Sequence, residues 1–290
     1  MFVVAGVSGN TGSVVADSLL ARGKKVRVVV RDAAKGEPWK KKGAEVAIAA
    51  LDDAQALGKA LAGAEGAYLL SPPDMGATDF LAQRKKTLDA IAEAIDAAKV
   101  PHVVFLSSVG AQHADGTGII KSVHGAEQRL GRTSAKTSFV RAAYFLENWG
   151  AVLGAVTGAG HLPTFLPPDL RIPMVASKDI GLVAANTLLE GPPSGKSQIL
   201  ELAGPKDYSS RDLAEVLAKV VGKPVELQAA PTDAVVPTFT GFGISANIAE
   251  LFRQMYVGIA DGTVAFEGNG ARQVRGSIDA ETFFRGALAS

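Results

Sequence analysis

Near the N-terminus, Gly6-Val7-Ser8-Gly9-Asn10-Thr11-Gly12 has the residue types and spacing that can hold a pyrophosphate. Gly6, Gly9 and Gly12 let the chain turn tightly and bring backbone N–H groups against an anion, where the start of a helix adds partial positive charge. Ser8, Asn10 and Thr11 put side-chain donors around the same anion. Glycines used only for close helix–strand packing would give the same spacing, so context matters. Here the loop joins an apolar β-branched run to a helical one, which is the setting of a dinucleotide-binding turn. Roughly 20 residues further on, where such units read the adenosine ribose, Val28-Val29-Val30 is followed by Arg31, with Lys35 one helical turn later. A guanidinium there can grip a 2′-phosphate, which favours NADP(H) over NAD(H). A shift of one residue would put Asp32 in that slot, and Arg31 would then be a solvated surface charge. Asp52, at the end of a third strand, is placed to meet an adenine amino group, whereas Asp53 reads as a helix cap. Ser71 and Pro72 close a fourth strand at the edge of the sheet where ligands bind.

The elements that position these residues follow from periodicity. Short runs at 2–5, 25–30, 44–49, 66–70 and 102–106 are rich in Val, Ile and Leu and read as buried strands. Segments 11–22, 53–61 and 79–98 between them have helical apolar spacing. Strands alternating with helices imply βαβ units, hence an α/β fold with a Rossmann-type, doubly wound parallel sheet. The second half is less regular, with helices expected at 121–132, 145–156, 179–190 and 209–221 and strands at 138–141 and 198–202. The expected plan is a Rossmann domain at 1–150, with 172–203 returning to it. Segments 151–171 and 204–290 form a smaller α+β lobe that closes over it and binds substrate. Two stretches without Asp, Glu, Lys or Arg, 148–168 and 234–249, are broken by Gly and Pro. Neither can form an unbroken membrane helix of about 20 residues. They suit the walls of an apolar cleft, or else loosely packed loops.

A net charge of +1 gives no reason to expect nucleic acid or an anionic membrane as partner. Without cysteine there is no disulfide, thiolate catalysis or Cys-built zinc site, which suits a reducing cytoplasm. The first residues carry no signal-peptide pattern, so a cytoplasmic location is expected. His102, His113, His124 and His161 show no i,i+4 pairing, and no metal site is expected. The partners expected are a small hydrophobic acceptor and, at most, a second copy of the chain in a homodimer.

Together with Phe105-Leu106-Ser107-Ser108-Val109-Gly110, Arg141-Ala142-Ala143-Tyr144-Phe145-Leu146-Glu147-Asn148 and Ile172-Pro173-Met174-Val175 leading to Asp179-Ile180, these motifs resemble the NmrA-like branch of the atypical short-chain dehydrogenases. The resemblance spans almost the whole chain and weakens after about Ala230. It implies NADPH-dependent reduction of quinones or triphenylmethane dyes, or a redox-sensing regulator that binds NADP without turnover. It also implies that Ser107 lies by the cofactor and that Tyr144, Phe145 and Asn148 line the substrate pocket, although aromatic core packing would give the same spacing. Typical short-chain dehydrogenases use a Tyr-x-x-x-Lys pair as acid. Here Tyr68, Tyr144, Tyr208 and Tyr256 are followed four residues on by Pro72, Asn148, Asp212 and Ala260, so that pair is absent. In the corresponding helix stand Lys121 and His124 on one face. In one reading they lie by the nicotinamide or substrate, with His124 as a proton source near neutral pH. In the other, His124 bonds a backbone group and Lys121 is solvated. Hydride transfer to a flat conjugated acceptor such as a quinone or electron-poor aromatic tolerates a missing acid–base pair. The same absence fits a sensor that acts through protein–protein contacts.

Overall fold

Strands that are apolar on both faces are stable only when helices cover both sides of their sheet. The computed structural model, which describes residues 1–289, has that arrangement. The first half alternates β1 (Phe2–Ala5), α1 (Asn10–Ala21), β2 (Val26–Val30), α2 (Ala33–Lys41), β3 (Glu45–Ile48), α3 (Ala54–Leu61), β4 (Gly66–Leu69), α4 (Phe80–Ala98), β5 (His102–Ser108), α5 (Lys121–Leu130) and β6 (Lys136–Ala142). The second half holds β7 (Tyr144–Phe145), α6 (Leu153–Ala159), β8 (His161–Thr164), β9 (Ile172–Val175), α7 (Ser177–Glu190), β10 (Ser197–Ala203), β11 (Asp207–Tyr208), α8 (Ser210–Val221), β12 (Glu226–Ala229), α9 (Val235–Gly241), α10 (Ala246–Ala260), β13 (Arg272–Arg275) and α11 (Ala280–Ala289).

Eight strands form one parallel sheet in the order β13-β10-β6-β5-β4-β1-β2-β3. Register sorts the side chains between its faces. Val28, Val4, Tyr68 and Val104 lie in one ladder row and pack with Val15 and Leu19 of α1 and Ile180 and Ala184 of α7. The next row, Val29, Ala5 and Leu69 among it, packs with Leu57 of α3, Ile91 and Ile95 of α4 and Leu130 of α5. Each such aliphatic side chain contributes about 1.5–3 kcal/mol by leaving water. A third core, with Trp149, Leu213, Leu217, Met255 and Phe284, belongs to the smaller lobe. That lobe carries the sheets β11-β9-β7 and β12-β8.

Three expectations need correction. Segment 145–156 is not one helix: Leu146–Val152 is a 3-10 turn and α6 begins only at Leu153. Leu146, Trp149 and Val152 all pack into the lobe core, and a three-residue repeat is the one that puts them on a single face. Within 172–203, β9 joins the small sheet while α7 and β10 belong to the large one, because Ile172 and Met174 pack into the lobe core. Segment 204–290 is not wholly in the lobe either: β13 returns to the large sheet as an edge strand beside β10. Among the described residues no helix is long and apolar enough to cross a membrane.

Candidate active site

The strand order reverses between β1 and β4, and in open α/β sheets a crevice opens outside the carboxyl ends at such a point. The glycine loop lies there. Gly9 is the N-cap of α1, its N–H donates to the Gly6 carbonyl at 2.9 Å, and no side chain caps the helix. The first amides of α1 thus remain to be satisfied from outside. A Cβ on Gly12 would stand 2.5 Å from the carbonyl oxygens of both Ala5 and Gly6, so only glycine lets α1 sit this close to β1. Gly9, Asn10 and Thr11 line the crevice, and Ser8 is exposed beside them. Thr11 is anchored from behind, its hydroxyl accepting from the buried Tyr68 phenol at 2.8 Å. Burial pushes that phenol well above its ordinary pKa, so it stays a donor.

At the end of β2 the two adjacent candidates separate. Asp32 caps α2, its carboxylate accepting from the Ala34 N–H at 2.9 Å. Arg31 is exposed and makes no ion pair among the described residues, and Lys35 is exposed in the first turn of α2. Asp52 is exposed in the turn after β3, while Asp53 caps α3 through the Ala56 N–H at 2.9 Å.

The middle of the crevice is built by the strand ends β4 and β5. Ser71 and Pro72 line it, and their carbonyls both accept from the Arg84 guanidinium of α4. Arg84 is 5% exposed, and burial lowers its pKa to about 10, so at neutral pH a cation braces this loop from beneath. The Ser71 hydroxyl is buried with no hydrogen-bond partner among the described residues, which fits a site that receives a ligand hydroxyl or phosphate. Ser107 also lines the crevice and donates to Glu127 Oε1 at 2.6 Å. Glu127 in turn receives Arg141 Nε at 3.0 Å and Nη2 at 2.7 Å, a buried pair that sequence reasoning did not find. No local spacing links the two, because they lie on α5 and β6 and meet only when those elements pack.

The whole crevice, from the glycine loop onward, has a volume of about 720 Å³, and beyond Ser107 its walls become apolar. Tyr144, Phe145 and Asn148 line it, as do Phe239 of α9 and Phe252, Met255, Tyr256 and Ile259 of α10. The α10 residues were missed. Their signal was present: Ser245 caps the helix through the Ile248 N–H, and Ile248, Leu251, Phe252, Met255 and Ile259 recur at helical spacing. Rings fix one another here, with Phe165 and Phe239 at 5.5 and 6.4 Å from Tyr256 and Trp149 at 6.3 Å from Tyr144. Lys121 and His124 are not among the lining residues. His124 Nδ1 lies 2.8 Å from the Ala111 carbonyl, and Lys121 faces Asp115 at 3.5 Å. From that region it is Ile119, Ile120, Ser122 and Val123 that reach the cleft. No cluster of metal-ligating side chains occurs among the described residues.

Comparison with known proteins follows the same lines. The NmrA-like family profile matches residues 1–268. Quinone oxidoreductase 2 of Escherichia coli (strain K12) is 26% identical over 268 residues, 90% of this chain and 89% of that protein. NAD(P)H azoreductase of Xenophilus azovorans is 23% identical over 257 residues, 88% of this chain and 86% of that protein. Among solved structures, the NADPH complex of the Escherichia coli NADPH-dependent quinone oxidoreductase aligns with a TM-score of 0.82 at 22% identity over 100% of both chains. Triphenylmethane reductase of Citrobacter sp. in complex with NADP(H) aligns with a TM-score of 0.78 at 20% identity over 93% of each chain.

Proposed function

The chain belongs to the NmrA-like family, and from that premise we propose that it is an NAD(P)H-dependent oxidoreductase whose acceptor is a small, flat, conjugated molecule such as a quinone or electron-poor aromatic. One observation carries the reading: the glycine loop and the apolar aromatic cleft are two ends of a single crevice. The two similar proteins named for quinone and azo reduction support it.

In this reading the amides at the start of α1 and the Asn10 side chain hold the pyrophosphate, with Ser8 at the rim. Ser71, Pro72 and Ser107 flank the ribose and nicotinamide end. Arg31 and Lys35, neither with an ion-pair partner among the described residues, receive the 2′-phosphate, and Asp52 lies toward the adenine. Asp32 already caps α2, which removes the acid that would favour NAD(H). When bound, the reduced dinucleotide supplies a hydride equivalent. The remaining work of the chain is to hold a flat guest near contact distance and to exclude water, which the apolar walls accomplish.

The test is NADPH oxidation, followed by absorbance, with a panel of quinones and dyes. Steady turnover is expected. Tight NADP(H) binding with no turnover on any acceptor would instead favour a dinucleotide-sensing regulator. Absence of binding to either dinucleotide would remove both readings.

A further inference from the structure

The crevice wall is apolar or neutral except at one place. Among the described residues that line it, Glu147 alone carries a formal charge, and no lysine, arginine or histidine stands with it. Glu147 lies in the 3-10 turn Leu146–Val152, beside the cleft residues Phe145 and Asn148. One of its oxygens is accounted for: Oε1 accepts from the Ser177 N–H at 2.9 Å and from the Ser177 hydroxyl, at the start of α7. The other, Oε2, is buried without a hydrogen-bond partner, and Glu147 makes no ion pair among the described residues. The first turn of α7 also holds Asp179, so its partial positive charge is shared between two carboxylates. The remaining polar wall does not offset the charge. Asn148, Tyr144 and Tyr256 are neutral, and the Ser107, Ser108 and Ser122 hydroxyls give their protons to Glu127 and to the Val109 and Ile119 carbonyls. Those three hydroxyls therefore offer a guest lone pairs. A carboxylate without a cation, set in an apolar wall, attracts positive charge and repels negative charge more strongly than it would in water.

We infer that Glu147 makes the cleft selective for charge: it favours a flat conjugated cation, with its positive charge spread over nitrogens, over a neutral acceptor, and it disfavours an anion. The inference rests on the reductase reading above and narrows its acceptor class. The chemistry balances without a proton donor. A C–H bond of the dihydronicotinamide breaks, and both its electrons leave with the hydrogen to form one new bond on the acceptor. The acceptor's positive charge is cancelled and the nicotinamide takes up an equal one, so the reduced product is neutral as formed. A cleft that lacks the Tyr-x-x-x-Lys pair is sufficient for that step.

Glu147→Gln keeps an oxygen for the Ser177 contacts and removes the charge. Three acceptors are compared anaerobically: methylene blue, a cation; naphthoquinone, which is neutral; and a naphthoquinone sulfonate, an anion on the same frame. In Glu147→Gln, kcat/KM for methylene blue should fall roughly 10- to 100-fold, the scale of a unit charge acting over several ångströms inside a protein. Naphthoquinone should change far less, and the sulfonate should improve. Tm and the NADPH Kd by fluorescence titration check the fold. Should Glu147→Gln prove unstable, Glu147→Asp keeps the charge while giving up reach to Ser177. It should retain the unmodified enzyme's preference for methylene blue over naphthoquinone, and loss of that preference would overturn the assignment. So would unchanged methylene blue kinetics in Glu147→Gln. An equal loss on all three acceptors would overturn it too, since the charge would then act on the nicotinamide. An unmodified enzyme that binds NADPH yet reduces none of the three would instead overturn the reductase reading.

Discussion

Arg31 and Asp32 stand side by side at the end of β2, yet Asp32 is held by the helix it caps while Arg31 is exposed and makes no ion pair among the described residues. A charge-assisted bond is worth about 1.5–3 kcal/mol. Arg31→Ala should therefore weaken NADPH binding by roughly 10- to 100-fold and leave NADH binding alone; equal losses for both, in a fluorescence titration, would remove the 2′-phosphate assignment. The sequence named this pair but left its register open, since only the cap bond to Ala34 tells the two apart. His124 was equally ambiguous from sequence, because a ring on an amphipathic helix can face either way. Its bond to the Ala111 carbonyl leads us to expect that His124→Ala costs about 1 kcal/mol of stability and leaves kcat within a factor of two. A large fall in kcat at unchanged Tm would return His124 to the chemistry. The Ser107–Glu127–Arg141 chain was illegible for a different reason: its members meet only after α5 and β6 have packed.

At the level of elements, legibility followed periodicity. β1 to β5 and their helices could be read because two-sided burial writes continuous apolar runs. β13 could not, because an edge strand of sequence Arg272-Gln273-Val274-Arg275 is mostly solvated and looks like a loop. α10 was lost behind the Gly241-Phe242-Gly243 break that precedes it, although its apolar stripe is regular. Two glycines test how these elements are seated. Gly12→Ala would drive a methyl group into the backbone of β1, an overlap no rotamer relieves, and should cost about 3 kcal/mol or more together with dinucleotide affinity; a normal Tm would show that α1 can shift. Gly118, at φ +57, lies against the backbone of α10 at Leu251 and Met255. Gly118→Ala should push α10 outward and raise KM for the acceptor much more than Kd for NADPH. Equal effects on both would mean that α10 does not set the acceptor's space.

For the molecule as a whole, stability should depend on pH in two windows. Burial holds the His102 imidazole, 1% exposed and 2.9 Å from Ser138 Oγ, at about 4 against an ordinary 6.5. The unfolded chain thus takes up that proton first. The contribution of the neutral ring is complete above pH 6.5 and is lost as pH falls toward 4. It is on the order of a few kcal/mol. The Asp212 carboxyl, held at about 2 chiefly by Arg171, and Glu250, held at about 2 chiefly by Arg253, contribute above about pH 4 and lose it toward pH 2. Both pairs are solvent-screened, so this second loss should be small. His102→Gln should flatten denaturant-derived stability between pH 6.5 and 4, and an unchanged slope there would implicate another group.

The helix α10 is fastened at both ends. At its start, Ser245 donates to the Ala77 carbonyl at 2.6 Å, and Asn247 accepts from the Phe80 N–H at 3.0 Å, tying it to the loop after β4 and to the first residue of α4. After it, the chain runs into β13 and so into the large sheet. A wall moored twice to the opposite bank cannot swing like a door. The gap it bounds therefore has a set width, and admission should be judged by a guest's thickness more than by its outline. Planar molecules of quite different perimeter would pass, and puckered ones of similar mass would be refused.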